Sequence, residues 1–226
     1  MYGWSINVAP KMPTSEALAA STKTGDTAST GLIAGTMVAS AQGWQPVETL
    51  KVGDRVHTFD NGMQPIIDIK RRVLWEKEAD RETQPWPVVI PEDALGNSHE
   101  MIFLPDQGVM LESENACDRM GDPYAIMPAQ VLEGLCGIES APAGHAMELI
   151  SLVFAAEEVV YIDGSMLVYC PQQPSALEGF DVPAPVYDVK SLDEAQDMLT
   201  DLDLAELALR ETENEDFGPP GLERIA

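Results

Sequence analysis

The sequence contains few cysteines, few histidines and few aromatic residues. Its 226 residues include three cysteines, three histidines and 6% aromatic side chains. Cys117, Cys136 and Cys170 are odd in number and widely spaced, so they fit neither a disulfide framework nor a metal-ligand pattern. We expect free thiols, most of them buried.

Basic residues are scarce beyond residue 81. Residues 82–226 contain four Lys or Arg and 29 Asp or Glu, whereas residues 1–81 contain nine of each class. The net charge of −25 therefore arises entirely from the later part of the chain. A phosphate backbone or an anionic membrane surface would be repelled, so we expect no nucleic-acid partner. The acidic residues are interpreted as a solvated surface that keeps the protein soluble.

Long apolar runs are absent as well. No segment approaches the roughly 18 apolar residues of a membrane-spanning helix, so we expect no membrane insertion. The first residues also lack the basic start and apolar run of a secretory signal. A cytoplasmic location and export by a route without an N-terminal signal are both compatible with this sequence.

The composition along the chain predicts five parts. The first is rich in Ser, Thr, Ala and Gly, and its Tyr2, Trp4 and Ile6 form a candidate docking point for a protein partner. The parts are a flexible N-terminal arm (1–30), a β domain (31–169), a proline-rich linker (170–190), an amphipathic helix (191–211) and a polar, acidic tail (212–226).

The central part shows the pattern of an all-β domain. Short apolar runs recur at regular spacing with turn residues between them, which is typical of a sandwich or barrel. Asp60-Asn61-Gly62 and Asp163-Gly164 are the strongest hairpin signals. Residues 46–50 and 128–132 each suit a single helical turn.

The predicted helix begins with a capping box, in which Ser191 is the N-cap and Glu194 follows three residues later. Apolar residues then recur at helical spacing. Two interpretations remain open: the helix folds back on its own β domain, or it binds a protein partner. The candidate partner-binding residues on this helix are Leu192, Leu199, Leu202 and Leu209.

Residues 31–73 carry the most specific pattern in the chain. A Gly-Thr strand leads to a turn, a Val-Glu-x-Leu-x-x-Gly-Asp-x-Val core and an aspartate-glycine turn. This order resembles the opening of bacterial Hint domains, the hedgehog/intein self-processing modules, and implies a Hint-like, mainly β fold. The matching residues are Gly35, Thr36, Gly43, Val47, Glu48, Leu50, Gly53, Asp54, Val56, Asp60 and Gly62.

The resemblance also identifies the positions at which Hint domains perform their chemistry. These domains use a cysteine or serine at the domain start, a histidine that protonates the leaving amine, and donors that polarise the carbonyl. Gly31 matches the nucleophile position, and Gln107 matches a histidine but cannot transfer a proton near neutral pH. Ser151 and Glu157 match two further histidines. The resemblance therefore implies a catalytically degenerate Hint framework.

No other group in the sequence stands out as a catalyst. Thr30 offers a hydroxyl without an identifiable base, and His57, His99 and His145 are interpreted as surface or edge residues. The spacing of Asp106, Glu112 and Glu114 matches no calcium loop. Phosphate-binding and dinucleotide motifs are absent as well. We expect no metal and no cofactor.

These observations favour a non-enzymatic, Hint-derived scaffold or interaction protein that serves as a subunit or accessory of a larger assembly. Its protein partner would bind the N-terminal arm, the helix or both. The alternative is an active autoprocessing protein that cleaves itself near Thr30-Gly31. A third interpretation is export by a bacterial one-step secretion system, because bacterial Hint domains often occur in secreted proteins.

Overall fold

The computed structural model describes residues 30–77, 84–112, 124–172 and 186–200. These residues form mainly β-structure, with two 3₁₀ turns and one α-helix, α1 (Leu192–Thr200). The fold is therefore mainly β, as predicted. The strands are β1 (Leu32–Ile33), β2 (Met37–Ser40), β3 (Gly43–Pro46), β4 (Arg55–Thr58), β5 (Gly62–Pro65), β6 (Asp68–Leu74), β7 (Val88–Ile90), β8 (Met101–Phe103), β9 (Gly108–Glu112), β10 (Tyr124–Pro128), β11 (Glu139–Ser140), β12 (Met147–Val153), β13 (Glu158–Ile162) and β14 (Met166–Cys170).

The largest sheet has eight strands in the order β10-β9-β14-β13-β2-β4-β5, with β3 paired to β2 beside this path. Strand β13 lies near its middle and pairs with β14 on one side and with β2 and β4 on the other. All five residues of β13 are buried. A strand covered on both faces is expected to read as a continuous apolar run, and Val159 through Ile162 fit that pattern.

Two smaller sheets complete the β-structure. Strand β12 lies between β1 and β6, so Ile150 faces Leu32 on one side and Arg71 on the other. The third sheet has the order β11-β7-β8. The first of these sheets positions the start of the domain, because β1 follows Gly31 directly.

The two strong hairpin signals are confirmed. Strands β4 and β5 pair from Thr58↔Gly62 onwards, and β13 and β14 pair from Ile162↔Met166 onwards. The predicted helical turns are confirmed as 3₁₀ turns at Val47–Thr49 and Ala129–Leu132. Local sequence therefore identifies both the two hairpins and the two 3₁₀ turns.

The core has one large aliphatic cluster and two smaller ones. The large cluster includes Val38, Phe103 and Ile150 and joins the sheets. A second cluster gathers aromatic side chains, among them Tyr161 and Tyr187. The third surrounds Trp75 and Leu149 beneath the start of the domain.

The C-terminal segment contacts the β domain. Ala195 in α1 is fully buried, and Leu192 and Leu199 are partly buried against the large aliphatic cluster. Before the helix, Val189 bridges Ile126, and the backbone N–H of Lys190 donates to Ile126 O at 2.8 Å. Residues 186–190, at the end of the predicted linker, therefore lie against the domain.

Several predicted positions lie outside the described residues. They include the N-terminal candidates Tyr2, Trp4 and Ile6, the helix residues Leu202 and Leu209, and the tail 212–226. Among the described residues, no helix has the length and hydrophobicity that crossing a bilayer requires.

Candidate functional site

The sheet register brings the start of the domain against the middle of β12. Leu32 pairs with Ile150, so the residues just before β1 reach Ser151. Gln107 arrives from a turn before β9, closed by its backbone N–H donating to Leu104 O at 2.9 Å. Three of the four predicted site positions, Gly31, Gln107 and Ser151, thus meet at one place.

Both polar groups of the Thr30–Gly31 peptide bond are held by side chains. The Gly31 N–H donates to Gln107 Oε1 at 2.7 Å. The Ser151 hydroxyl donates to Thr30 O at 2.8 Å. We call this arrangement, the Thr30–Gly31 peptide with Gln107 and Ser151, the peptide clamp.

The Gln107 side chain is fixed by further bonds. It is fully buried, and its Nε2 donates to Gly108 O at 3.1 Å and to Tyr169 O at 2.9 Å. Both amide hydrogens and the amide oxygen are thereby used. A buried amide that lost one of these partners would carry an uncompensated desolvation cost.

There is little room for a side chain at Gly31. An ideal Cβ there would lie 2.8 Å from Ser151 Oγ, 3.0 Å from Ile150 O and 3.1 Å from Leu149 Cδ1. The backbone φ of +154° also disfavours L-residues with a side chain. Ser151 thus occupies space that a larger residue at position 31 would need.

Glu157 lies apart from the peptide clamp and contacts the C-terminal segment instead. Its Oε2 accepts the Tyr169 hydroxyl at 2.6 Å, and its Oε1 accepts the backbone N–H of Val186 and, at 3.0 Å, that of Tyr187. The residue is 7% exposed. A buried carboxylate requires such partners, because an unpaired buried charge would destabilise the folded state by on the order of several kcal/mol.

Two tyrosines close to Glu157 are held in their neutral form. Burial, followed by the hydrogen bond to Glu157, raises the pKa of Tyr169 well above its usual value. Burial, followed by the hydrogen bond to Asp60, raises the pKa of Tyr187 in the same direction. The Tyr187 hydroxyl donates to Asp60 Oδ2 at 2.5 Å. Both phenols therefore act as hydrogen-bond donors at any physiological pH.

The three histidines occupy different environments. His57 lies in β4, where burial lowers its pKa, and His145 is exposed in a loop. His99 is exposed too, but its Nδ1 lies 2.9 Å from Oδ1 of the buried Asp163, and its backbone N–H donates to Asp163 Oδ2 at 2.8 Å. The partners of the peptide in the clamp are the Ser151 hydroxyl, which donates, and the Gln107 amide oxygen, which accepts; neither is a histidine.

Cysteines and acidic residues add no metal-binding arrangement within the described ranges. Cys136 is exposed and Cys170 is buried, and Cys117 lies outside those ranges. No group of three His, Cys, Asp or Glu side chains there is placed to hold an ion.

The chemical capacity of the peptide clamp follows from its groups. A hydroxyl that donates to a carbonyl oxygen stabilises negative charge on that oxygen, and Ser151 is so placed. Gly31 offers no nucleophile, and the Gln107 amide offers no titratable proton. The clamp can therefore bind and orient the Thr30–Gly31 peptide.

The sequence predicted the members of the clamp but missed their neighbours. Tyr169 and Tyr187 link Glu157 to the C-terminal segment, and Asp163 holds His99. A tyrosine in a buried strand and an aspartate in a hairpin turn both have ordinary structural roles, so neither carries a specific signal. The Asp163-Gly164 pair predicts a hairpin turn, and the positive φ of Asp163, 43°, agrees with that role.

The fold is mainly β, and the Thr30–Gly31 peptide is bound just before its first strand. A family model described as "Hint domain" matches residues 30–167, more than half of the sequence. The chain belongs to the Hint domain family.

Solved structures with similar folds include inteins and an intein-like domain. The bacterial intein-like domain from Clostridium thermocellum has 14% sequence identity, covers 62% of this chain and 98% of its own, and gives a TM-score of 0.40. The gp41-1 intein has 15% identity, covers 61% and 96%, and gives a TM-score of 0.36. Curated protein sequences gave no match.

Proposed function

We propose that this protein is a Hint-derived scaffold that does not cleave itself and that binds a protein partner as part of a larger assembly. The peptide clamp carries this proposal. The Thr30–Gly31 peptide is bound at both of its polar groups, and the residue that would act as nucleophile has no side chain.

The surroundings of Gly31 support the same conclusion. Because an ideal Cβ would lie 2.8 Å from Ser151 Oγ, the site has no ready space for a cysteine. Gln107 accepts the Gly31 N–H but cannot protonate a leaving amine, which the family reaction requires. The clamp then serves to fix the point at which residue 30 enters the domain.

A fixed entry point suits partner binding by the preceding residues. If residues 1–29 bind a partner, a rigid anchor at Thr30 limits the orientations of the complex and so reduces the entropy lost on binding. In α1 the apolar residues Leu192 and Leu199 are partly buried against the domain. The N-terminal segment is therefore the preferred candidate for docking.

One observation favours the alternative, an active self-cleaving protein. The Ser151 hydroxyl polarises the Thr30 carbonyl, as an oxyanion donor would. Hydrolysis at this bond would release a fragment that begins at Gly31.

Intact mass separates the two proposals. The purified full chain, incubated for days with and without added thiol or hydroxylamine, should remain one species near 24.5 kDa. A fragment that begins at Gly31 would contradict the scaffold proposal. Ser151→Ala and Gln107→Ala are the controls, since cleavage by the site would slow in both, and cleavage by a contaminating protease would not.

A second measurement tests whether the site can cleave when position 31 carries a thiol. Gly31→Cys reintroduces a thiol, with Gly31→Ala as the control for strain at position 31. We expect both variants to stay uncleaved and to lose similar stability, because the space is missing in both. Thiol-dependent cleavage of Gly31→Cys alone would show that the remaining site is catalytically competent.

Partner docking is tested by comparing the full chain with a chain that starts at Thr30. Mixed with extract of the source organism and isolated under native conditions, the full chain should retain one partner in fixed stoichiometry. The shortened chain should lose that partner. Equal retention by both chains would rule out residues 1–29 as the docking element.

A further inference from the structure

A continuous line of contacts connects the peptide clamp with the C-terminal segment. It runs from the Gly31 N–H to Gln107 Oε1, and from Gln107 Nε2 to Tyr169 O. From there the Tyr169 hydroxyl reaches Glu157, and Glu157 accepts the backbone N–H groups of Val186 and Tyr187. The two ends of the described domain thus meet through three side chains.

Tyr169 is the central member of this line, because it uses its backbone, hydroxyl and ring. Its ring lies 5.9 Å from that of Tyr187 in an edge-to-face arrangement. Its Cβ would lie 3.0 Å from a Cβ placed on Gly108, so β9 and β14 approach closely here. A shift of Tyr169 would therefore alter the carbonyl that orients Gln107.

The C-terminal segment has its own independent attachments. The Tyr187 hydroxyl donates to Asp60, and the Lys190 N–H donates to Ile126 O. Tyr187→Phe removes only the bond to Asp60 and keeps the ring contact with Tyr169, so it weakens the hold on Glu157 without deleting a bond of the line from Glu157 to Gly31.

Because Gln107 and Glu157 are buried, the hydrogen bonds along this line of contacts depend on one another. Gln107 is fully buried, and Glu157 is 7% exposed. If Val186 and Tyr187 leave, Glu157 keeps only the Tyr169 hydroxyl among these partners, in a place that water reaches poorly. A buried polar group that loses its partners is costly and tends to rearrange its neighbours.

We propose that docking of Val186–Tyr187 and binding of the Thr30–Gly31 peptide are energetically coupled through Glu157, Tyr169 and Gln107. A ligand that displaces residues 186–187 then loosens the peptide clamp, and a partner that pulls on Thr30 loosens the C-terminal segment. This reciprocity is a thermodynamic requirement of any such coupling. Glu157, Tyr169 and Gln107 act as positioning residues, and the coupling exists whether or not the chain cleaves itself.

Amide hydrogen exchange measured by NMR tests the coupling in the full chain. Tyr187→Phe removes the bond to Asp60, and the Gly31 amide should then exchange about fivefold faster, the factor expected for loss of one net hydrogen bond. The Asp163 amide, which donates to Met37 O at 2.9 Å, serves as the reference for global unfolding.

Ser40→Ala is the control. It also removes one buried hydroxyl, which donates to Gly43 O at 2.7 Å, and it lies in the β2–β3 hairpin, outside the turn that holds Asp60. We expect Gly31 exchange relative to Asp163 to remain unchanged. An equal increase in both variants would overturn the proposal, because the effect would then be general destabilisation.

A double variant tests whether the coupling passes through Tyr169. In Tyr169→Phe, which removes the bond to Glu157 and keeps the ring, adding Tyr187→Phe should no longer accelerate Gly31 exchange. If the acceleration persists, the coupling does not pass through Tyr169 and the proposal is wrong.

The coupling should also run from the peptide clamp to the C-terminal segment, and this direction is measured separately. Gln107→Leu removes the acceptor of the Gly31 N–H, and the Tyr187 amide should exchange faster by several-fold. Unchanged exchange at Tyr187 in a folded variant would overturn the coupling. If Gln107→Leu does not fold, Ser151→Ala perturbs the clamp from its other side and is judged by the same two outcomes.

Discussion

Two glycines, Gly31 and Gly108, hold neighbouring parts of the chain closer than a side chain would allow. At Gly108 an ideal Cβ would lie 2.7 Å from Ile126 Cγ2 and 3.0 Å from Tyr169 Cβ. Real Cβ atoms essentially never show the first of these distances, and the second is unusually short, so β9, β10 and β14 can pack as they do because position 108 is glycine.

Gly108→Ala should therefore destabilise the fold by about 1–3 kcal/mol, the usual cost of overpacking a core. Gly144→Ala is the matched control, since a Cβ there meets nothing within 4 Å and its backbone is not in the positive-φ region. Urea unfolding of both variants measures the difference. Equal stability of the two would contradict the close approach at Gly108.

The two described cysteines should differ strongly in reactivity. Burial, followed by the nearby Glu158, raises the pKa of the Cys170 thiol to about 12, whereas Cys136 is exposed. At pH 8 only about one Cys170 in ten thousand would be a thiolate, the reactive form.

We expect an aromatic disulfide reagent to label Cys136 rapidly and Cys170 only after unfolding. The measurement uses a Cys117→Ser background, and Cys136→Ser confirms the assignment. Comparable labelling rates at pH 8 would show that Cys170 is accessible in the native state.

At this scale the family pattern identified Gly31, Gln107 and Ser151 as site positions, and the Gln107 and Ser151 side chains both bond the Thr30–Gly31 peptide. Tyr169 could not be predicted, because it lies 62 residues from Gln107 and contacts it through a backbone carbonyl. Such a contact requires no particular side chain and leaves no mark in the sequence.

At the scale of elements, the start of α1 behaves as its capping box predicts. The Ser191 N–H donates to Glu194 Oε2 at 2.9 Å, and the Glu194 N–H reaches Ser191 Oγ at 3.4 Å. The Ser191 hydroxyl also donates to Glu194 Oε2 at 2.6 Å. Helix caps are strictly local, and for that reason this one could be identified from four residues.

The cap gives a pH-dependent prediction. Bonds from the Ser191 hydroxyl and then its backbone N–H lower the pKa of Glu194 below 4.5. Since the folded-state pKa is lower than the unfolded one, the ionised cap stabilises α1 above about pH 4.5, and this stabilisation is lost as the pH falls through the folded-state pKa.

Titration of the Glu194 carboxyl carbon by NMR measures this pKa directly. Ser191→Ala should move the midpoint up towards the ordinary glutamate value, and Ser191→Thr, which keeps the hydroxyl, should leave it low. An unchanged midpoint in Ser191→Ala would show that the hydroxyl does not contribute.

Strand pairing was predictable only where a tight turn joins the partners. The hairpins β4–β5 and β13–β14 follow from Asp60-Asn61-Gly62 and Asp163-Gly164. By contrast, β8 and β9 are separated by four residues yet belong to different sheets. Side-chain patterns identify a strand and its buried face, but a distant partner is chosen by the packing of the whole domain.

At the scale of the whole molecule, charge opposes compactness. The net charge is −25 for 226 residues, and residues 82–226 account for all of it. Like charges that are gathered on folding repel one another, which destabilises the compact state. Salt reduces this repulsion, because the screening length shortens from about 30 Å at 0.01 M to about 10 Å at 0.1 M.

Raising NaCl from about 10 to 100 mM should therefore raise the urea midpoint of unfolding. NaCl and KCl should act equally at the same ionic strength, since screening does not depend on the cation. A midpoint that falls with salt would instead indicate that ion pairs such as Arg71–Glu148, at 3.1 Å, dominate the balance.

The overall topology was accessible only through family resemblance. Strand β12 pairs with β1 and β6, whose residues lie far away in the sequence, and no local pattern encodes either partner. The regular spacing of short apolar runs, taken alone, indicated only a sandwich or barrel. The match over residues 30–167 extends the resemblance well beyond the 31–73 stretch that first indicated it.

The close contact between Gly31 and Ser151 also affects which sequences this protein can reach by mutation. A new side chain at position 31 meets Ser151 Oγ first, so its effect depends on what already stands at position 151. A smaller residue at 151 would have to arise before, or together with, the change at 31. The two positions are therefore expected to be epistatic, and the order of substitutions determines whether a nucleophilic side chain can be accommodated at the start of this domain.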